Sequence, residues 1–300
     1  MANKKDLDFS YSTIDEIFRL SIGETGDFSG ALYNGDFSLS LEESQKAKNE
    51  FIAKSLQIGK GSKVLDMGCG WGPFSKYITD LGARSIGLSL SERQVESCRK
   101  NGLTVYLKDC REIKPQDFGM FDAVSSVGAF EHFCSIDDWK AGRQEKIYRD
   151  FFKSVAEILP TGGRLYVQTM VFGKNKVPFE DINIDAKWGS PQHVMALMVK
   201  EFPGSWLPDG AEMVINNAKP DFKVISQSSG RLDYIETISQ WRKKFRAFNF
   251  KKYWLYLNLL PKYFMDKEFR YRMAIFRLSP NKICFEKEIM DHFRLVFEKI

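Results

Sequence analysis

VLDMGCGWGPF, residues 64 to 74, leaves an apolar run, turns through Gly68, Gly70 and Gly72, and enters a segment with helical spacing. Glycine at these places lets the backbone turn tightly and approach a ligand closely, and the helix that follows offers unpaired N–H groups at its start. Dinucleotide sites use G-x-G-x-x-G. Here the third glycine comes one residue early and Pro73 takes the sixth place, so a nicotinamide oxidoreductase fits poorly. Asp66 just before the turn would repel a pyrophosphate but can anchor an ammonium group through water or backbone. A nucleoside carrying an amino-acid tail and no phosphate meets both conditions, which points to S-adenosylmethionine. A glycine turn serving only packing is the alternative.

Outward from this turn, short apolar runs alternate with helix-period stretches, the pattern of a parallel sheet wound with helices. Strands are expected at KVLDM (63–67), SIGLSL (85–90), LTVYL (103–107), FDAVSSV (121–127), RLYVQTM (164–170), FKVISQS (222–228) and HFRLVFEK (292–299). Ser91 and Gln94 stand in capping-box spacing ahead of a helix through Cys98. Ile147, Phe151, Val155 and Ile158 give a later helix one apolar face, ended by Pro160, Gly162 and Gly163. The expectation is an α/β, Rossmann-like, seven-stranded sheet flanked by helices. Its organisation is an N-terminal helical cap over 1–60, a cofactor-binding core over 61–234, a helical aromatic and basic lid over 235–290, and a last core strand over 291–300. Together these make one structural domain. Ligands in open α/β sheets sit at the carboxyl ends of the strands, where such an insertion can cover them.

Composition narrows the class further. The opening MANKKDLDFSYSTIDEIF contains no signal-peptide core, and YWLYLNLL (253–260) is far too short to span a bilayer, so the expected place is the cytoplasm. The five cysteines are scattered and never form CxxC, which argues against a disulfide framework and a zinc site. Residues 241–300 carry fifteen Lys and Arg against six Asp and Glu, a charge of +9, while the first 240 residues sum to −4. WRKKFRAFNFKKYWLYLNLLPKYF interleaves those cations with aromatics, as suits an anionic membrane surface or acidic head groups met through 241–277. A helix with a charged outer face and an aromatic inner face is the other reading. No nucleic-acid recognition motif accompanies the charge.

The motifs VLDMGCGWGPFSKYI, GLSLSERQ and SVGAFEHF occur in this order, with FSGALY and LSLEESQKAK upstream and FPGSWLP and DYIETISQW downstream. With them the chain resembles the cyclopropane fatty-acid synthase and mycolic-acid methyltransferase family, from about residue 8 to the end. The resemblance implies an S-adenosylmethionine-dependent methyltransferase. Its cofactor would meet Phe28 and Ser29 in the family's Tyr-Ser place, Asp66, Gly68 and Gly70 at the turn, Ser89, Leu90 and Gln94 at the ribose, and Asp109 and Cys110 at the adenine. Gln94 is explained equally well as a capping residue, and Asp109 and Cys110 as a buried strand end.

FEHF places Glu131 and His132 between phenylalanines at a strand end, where an ion costs several kcal/mol unless paired, neutralised or used. The resemblance puts Glu131 in the active site, with Tyr234 of DYIETISQW as the family's tyrosine. There a carboxylate can stabilise the cation formed when an alkene takes a methyl group, and help remove one proton, directly or through a bound bicarbonate. A strand-end carboxylate satisfied by backbone N–H groups is the alternative for Glu131, and for His132 a structural role is favoured over a catalytic one. Two positions depart from the implied bicarbonate pocket: Gly30 replaces its cysteine, and Lys174 lies near the place of its histidine. The implied acceptor is a C=C bond of an unsaturated fatty-acyl lipid, giving a cyclopropane or a methyl-branched product. N-, O- or C-methylation of a small molecule and a non-catalytic binding protein are the competing readings.

Overall fold

The computed structural model describes residues 15–22, 26–202, 204–273 and 279–300. Residues 1–14, which hold the start of the expected cap and the stretch without a signal-peptide core, lie outside the described residues, as do 23–25, Pro203 of FPGSWLP, and 274–278 of the inserted segment.

All seven expected strands are present: β1 (Lys63–Met67), β2 (Arg84–Ser89), β3 (Val105–Leu107), β4 (Ala123–Val127), β5 (Arg164–Phe172), β6 (Phe222–Ser229) and β7 (Met290–Lys299). They form one sheet in the order β3-β2-β1-β4-β5-β7-β6. The first five run parallel and β7 runs antiparallel to both β5 and β6. Val64, Leu65, Met67 and Val124 are fully buried, as strands covered on both faces by helices require. The strand order turns outward on either side of β1 and β4, so the carboxyl ends of these two neighbours open the crevice in which such sheets bind ligands.

Among the described residues the helices begin with α1 (Asp15–Ile22) and α2 (Leu41–Ser55), the latter opened by a capping box between Ser40 and Glu43. Within the core follow α3 (Pro73–Asp80), α4 (Glu92–Lys100), α5 (Pro115–Phe118), α6 (Ile136–Lys140) and α7 (Gln144–Ile158). On α7 the apolar face reaches the sheet as expected, with Phe151, Val155 and Ile158 buried and Ile147 packed beside them. Helices α8 (Pro191–Glu201) and α9 (Gly210–Ala218) come between β5 and β6. The segment between β6 and β7 holds α10 (Arg231–Arg246), α11 (Phe250–Met265), α12 (Lys267–Met273) and α13 (Ser279–Glu286). Helix α10 runs without a break through the expected core–lid boundary at 234/235.

Helix α11 departs from the aromatic-inside reading. Phe250, Trp254, Leu257 and Phe264 are exposed, and its one buried residue is Lys252. The reason lies at the end of α10: Lys252 Nζ donates to the Phe245 and Ala247 carbonyls at 2.7 and 2.8 Å, supplying the last turn of that helix with the donors it lacks. Fixing the lysine inward turns the aromatic face outward.

The FSGALY segment (28–33) is fastened over one face of β5 and β7. Arg294 on β7 pairs with Asp233 on α10 at 2.9 Å and donates to the Ala31 carbonyl at 2.7 Å. Asp233 also accepts from the Tyr33 N–H, Thr237 Oγ1 accepts from the Ala31 N–H, and Gln168 Nε2 donates to the Gly30 carbonyl at 2.8 Å. The ion pair is buried on both sides, so removing one partner strands the other charge. Arg294→Met should lower unfolding stability by about 3–5 kcal/mol in urea titration, and the double change Arg294→Met with Asp233→Leu should regain most of it.

Candidate active site

Gly68, Gly70 and Gly72 all lie in the left-handed region, with φ of +76°, +55° and +79°. The first and third are closed by packing: a Cβ on Gly68 would come within 2.6 Å of the Ala129 Cβ, and one on Gly72 within 2.5 Å of Leu103. Above Gly70 nothing lies within 4 Å. The open face of the turn is therefore at Gly70, where a ligand can rest against bare backbone beside the start of α3. Behind it Asp66 is turned inward, accepting from Ser75 Oγ at 2.9 Å and Ser125 Oγ at 3.0 Å. Burial pushes its pKa up to about 6, against the pull of the two hydroxyls. It ties α3 and β4 to β1 beneath the turn, and both of its oxygens are engaged within the protein.

The neighbouring segments place the other expected cofactor residues. Ser89 Oγ donates to Gln94 Oε1 at 2.7 Å and accepts from the Ser91 N–H at 3.1 Å. The expected capping box is thus only half formed: Ser91 caps α4, but the Gln94 side chain goes to Ser89 instead of the cap backbone. Leu90 is exposed between them. Asp109 pairs with Arg111 at 2.5 Å, and Cys110 is buried, its thiol pushed up to about 12 by loss of water. Arg111 had no signal in the strand pattern, because it reaches Asp109 through a turn of 3-10 helix. Phe28 stacks on Trp241 at 4.2 Å. Ser29 Oγ donates to Asp27 at 2.6 Å and accepts from Lys48 Nζ at 2.5 Å, inside a buried Lys48–Asp27 pair.

Glu131 sits past the end of β4, 4% exposed. Its Oε2 accepts from Thr169 Oγ1 at 3.1 Å, and the Glu131 and Met170 N–H groups also donate to the carboxylate. Desolvation outweighs these bonds and raises its pKa to about 7. Backbone N–H groups do hold it, as the structural alternative foresaw, yet they leave it titrating where an acid–base group is most useful. His132 lines the same pocket as Glu131, and its Nδ1 meets Ser205 Oγ at 3.0 Å. Tyr234 on α10 is buried, its phenol bonded to the Asn281 side chain, and burial with the nearby Glu131 charge raises its pKa.

Beside Glu131 opens a pocket walled by Met170, Phe172, Met195, Met198, Trp206 and Met290. No group of His, Cys, Asp and Glu side chains suited to hold a metal occurs among the described residues, and all five cysteines are free and buried.

The implied bicarbonate ion fits poorly. Lys174 forms an ion pair with Glu288 and is 70% exposed, away from Glu131. At Gly30 a Cβ would already lie 2.7 Å from the Tyr234 ring and 2.9 Å from the ring of His292. The imidazole in this place comes from β7. His292 faces Met170 across the β5–β7 ladder and stacks on Tyr234 at 4.8 Å with the planes 4° apart. HFRLVFEK was legible as a strand, and its alternation puts His292 and Arg294 on one face; what it could not reveal was that this face meets Gly30.

The model of the mycolic acid cyclopropane synthetase family matches residues 2–283. The chain belongs to this family. Hydroxymycolate synthase MmaA4 of Mycobacterium bovis is 29% identical over 281 residues, 88% of this chain and 89% of the relative. The S-adenosylmethionine-dependent methyltransferase UmaA of Mycobacterium tuberculosis is 25% identical over 242 residues, covering 79% and 80%. In fold, the chain is similar to mycolic acid cyclopropane synthase CmaA1 complexed with SAH and CTAB, with a TM-score of 0.74 at 24% identity and coverage of 97% and 96%. The protein is an S-adenosylmethionine-dependent methyltransferase. The cofactor, when bound, supplies an electrophilic methyl group on sulfur, and the open backbone at Gly70 fits it.

Gly70→Ala adds a methyl group to empty space, at a cost of about 1–2 kcal/mol for its backbone conformation. Its melting temperature should fall by only a few degrees, while calorimetric affinity for S-adenosylhomocysteine drops at least about tenfold, or 1.4 kcal/mol.

Proposed function

We propose that the enzyme methylates a C=C bond of an unsaturated fatty-acyl lipid and that Glu131 serves the cation so formed. The observation that carries this reading is the pairing of one buried carboxyl group with a methionine-rich wall that is apolar apart from His132 and Ser205. An acyl chain can fill such a wall, whereas a polar metabolite would leave its own donors and acceptors unpaired there. Phe28 and Ser29, Asp66, Gly68 and Gly70, Ser89, Leu90 and Gln94, and Asp109 with Cys110 are assigned to the cofactor side. Glu131 and Tyr234 are assigned to the acceptor side, with His132 on the pocket rim. An alkene that has taken the methyl group is a carbocation. The Glu131 carboxylate lowers its energy.

The exposed face of α11 supports delivery of substrate from a membrane surface. Phe250, Trp254, Leu257 and Phe264 stand out beside the exposed Lys243, Arg246 and Lys251, the combination that lies in the headgroup region of an anionic bilayer. No helix among the described residues is long and apolar enough to cross a membrane.

Purified protein given methyl-labelled S-adenosylmethionine and vesicles of unsaturated phospholipid should release acyl chains heavier by one CH2. Cofactor binding without label in lipid would instead favour a small-molecule acceptor. Glu131→Gln should lower kcat by about 10²–10⁴-fold; transfer to nitrogen or oxygen, which forms no carbocation, would be only modestly affected. Because the folded pKa of Glu131 is raised, the accepting carboxylate is lost as pH falls through about 7. The wild-type rate should therefore rise with pH across that midpoint.

A further inference from the structure

The place where this family's resemblance implies an anion is occupied by the chain's own side chains. Gly30 offers no side chain, and the position of its missing Cβ is closed at 2.7 Å by Tyr234 Cδ2, at 2.9 Å by His292 Cε1 and at 3.1 Å by His292 Nε2. Lys174, the one cation the sequence brought near, is held at the surface by Glu288. His292 is 3% exposed. Its ring lies flat on Tyr234, and its Nδ1 is buried without a hydrogen-bond partner. On the far side a Cβ at Gly230 would come within 2.6 Å of that nitrogen, so the ring is clamped between two glycines and one tyrosine.

Electrostatics point the same way. The cations close by, Lys48 and Arg294, already have carboxylate partners in Asp27 and Asp233. Their charge, together with burial, holds the His292 pKa well below its ordinary value, so the ring is neutral and adds no positive charge. A bicarbonate ion placed here would meet a neutral ring, a phenol and the Glu131 carboxyl group.

We propose that this enzyme works without a bound anion: His292 fills the notch at Gly30 and positions Tyr234, and the Glu131 carboxylate takes the proton itself. The inference rests on the double-bond reading above. In the step, a C–H bond of the newly transferred methyl group breaks and its electron pair closes a C–C bond to the cationic carbon, or a C–H bond on a carbon next to the cation breaks and its pair forms a C=C bond. The proton forms an O–H bond on Glu131 and passes to water after product leaves. His292 is a positioning residue here. It is the neutral group that, with Tyr234, leaves the notch too small for an anion.

One measurement tests this separately from the lipid reading. Binding of 13C-bicarbonate is followed by NMR on the protein loaded with S-adenosylhomocysteine, a readout that needs no acceptor. No saturable broadening is expected, and saturable binding overturns the proposal even if lipid proves not to be the substrate. On unsaturated phospholipid vesicles in degassed buffer, added bicarbonate should leave the rate unchanged; a severalfold rise overturns the proposal. His292→Ala should lower kcat about tenfold or more with cofactor affinity retained, and His292→Phe, which keeps the stacked ring without its nitrogens, should regain most of the loss. A His292→Phe variant as slow as His292→Ala, with cofactor affinity intact, would contradict the positioning role.

Discussion

The carboxyl group of Glu131 has exchanged its water shell for one hydroxyl, from Thr169, and two peptide N–H groups, and that exchange is incomplete. Three donors do not replace bulk water around a full negative charge, so the group ionises only near neutral pH. Everything around it maintains this condition. β4 and β5 bring the residue to the carboxyl edge of the sheet, the methionine wall excludes water on one side, and Tyr234 and His292 close another. A developing cation is the one partner that would restore the balance.

Two buried ion pairs hold the cover in place over this group. Lys48–Asp27 runs from α2 to the residue just ahead of the FSGALY loop, and Arg294–Asp233 from the last strand to α10. Such pairs give little net stability, since desolvation offsets their attraction, but breaking one is costly. They therefore act as registration points. They fix Gly30, Tyr234 and His292 relative to one another, and the shape of the site follows from that registration.

The centre of the sheet was legible because β1 and β4 are buried on both faces and read as short apolar runs between turns, KVLDM and FDAVSSV. Glu131 was legible as an ion where burial was demanded. What stayed hidden depends on partners distant in sequence. Gly30 and His292 are 262 residues apart, and only the folded sheet shows that one fills the space left by the other. Lys174 misled because proximity in sequence to the fifth strand says nothing about direction. On α11, periodicity identified an aromatic face but could not tell which side was inward, since that was decided by one lysine capping the preceding helix. The Arg111 partner of Asp109 stayed hidden because the turn of 3-10 helix that brings it back leaves no periodic trace.

The most direct measurement is the titration of Glu131 itself, by 13C NMR of carboxyl-labelled protein with Glu131→Gln identifying the resonance. A midpoint near 7 is expected from the desolvated geometry. A midpoint at the ordinary carboxylate value, about 4.3, would mean that water reaches the group freely, and the direct proton transfer inferred for it would be contradicted.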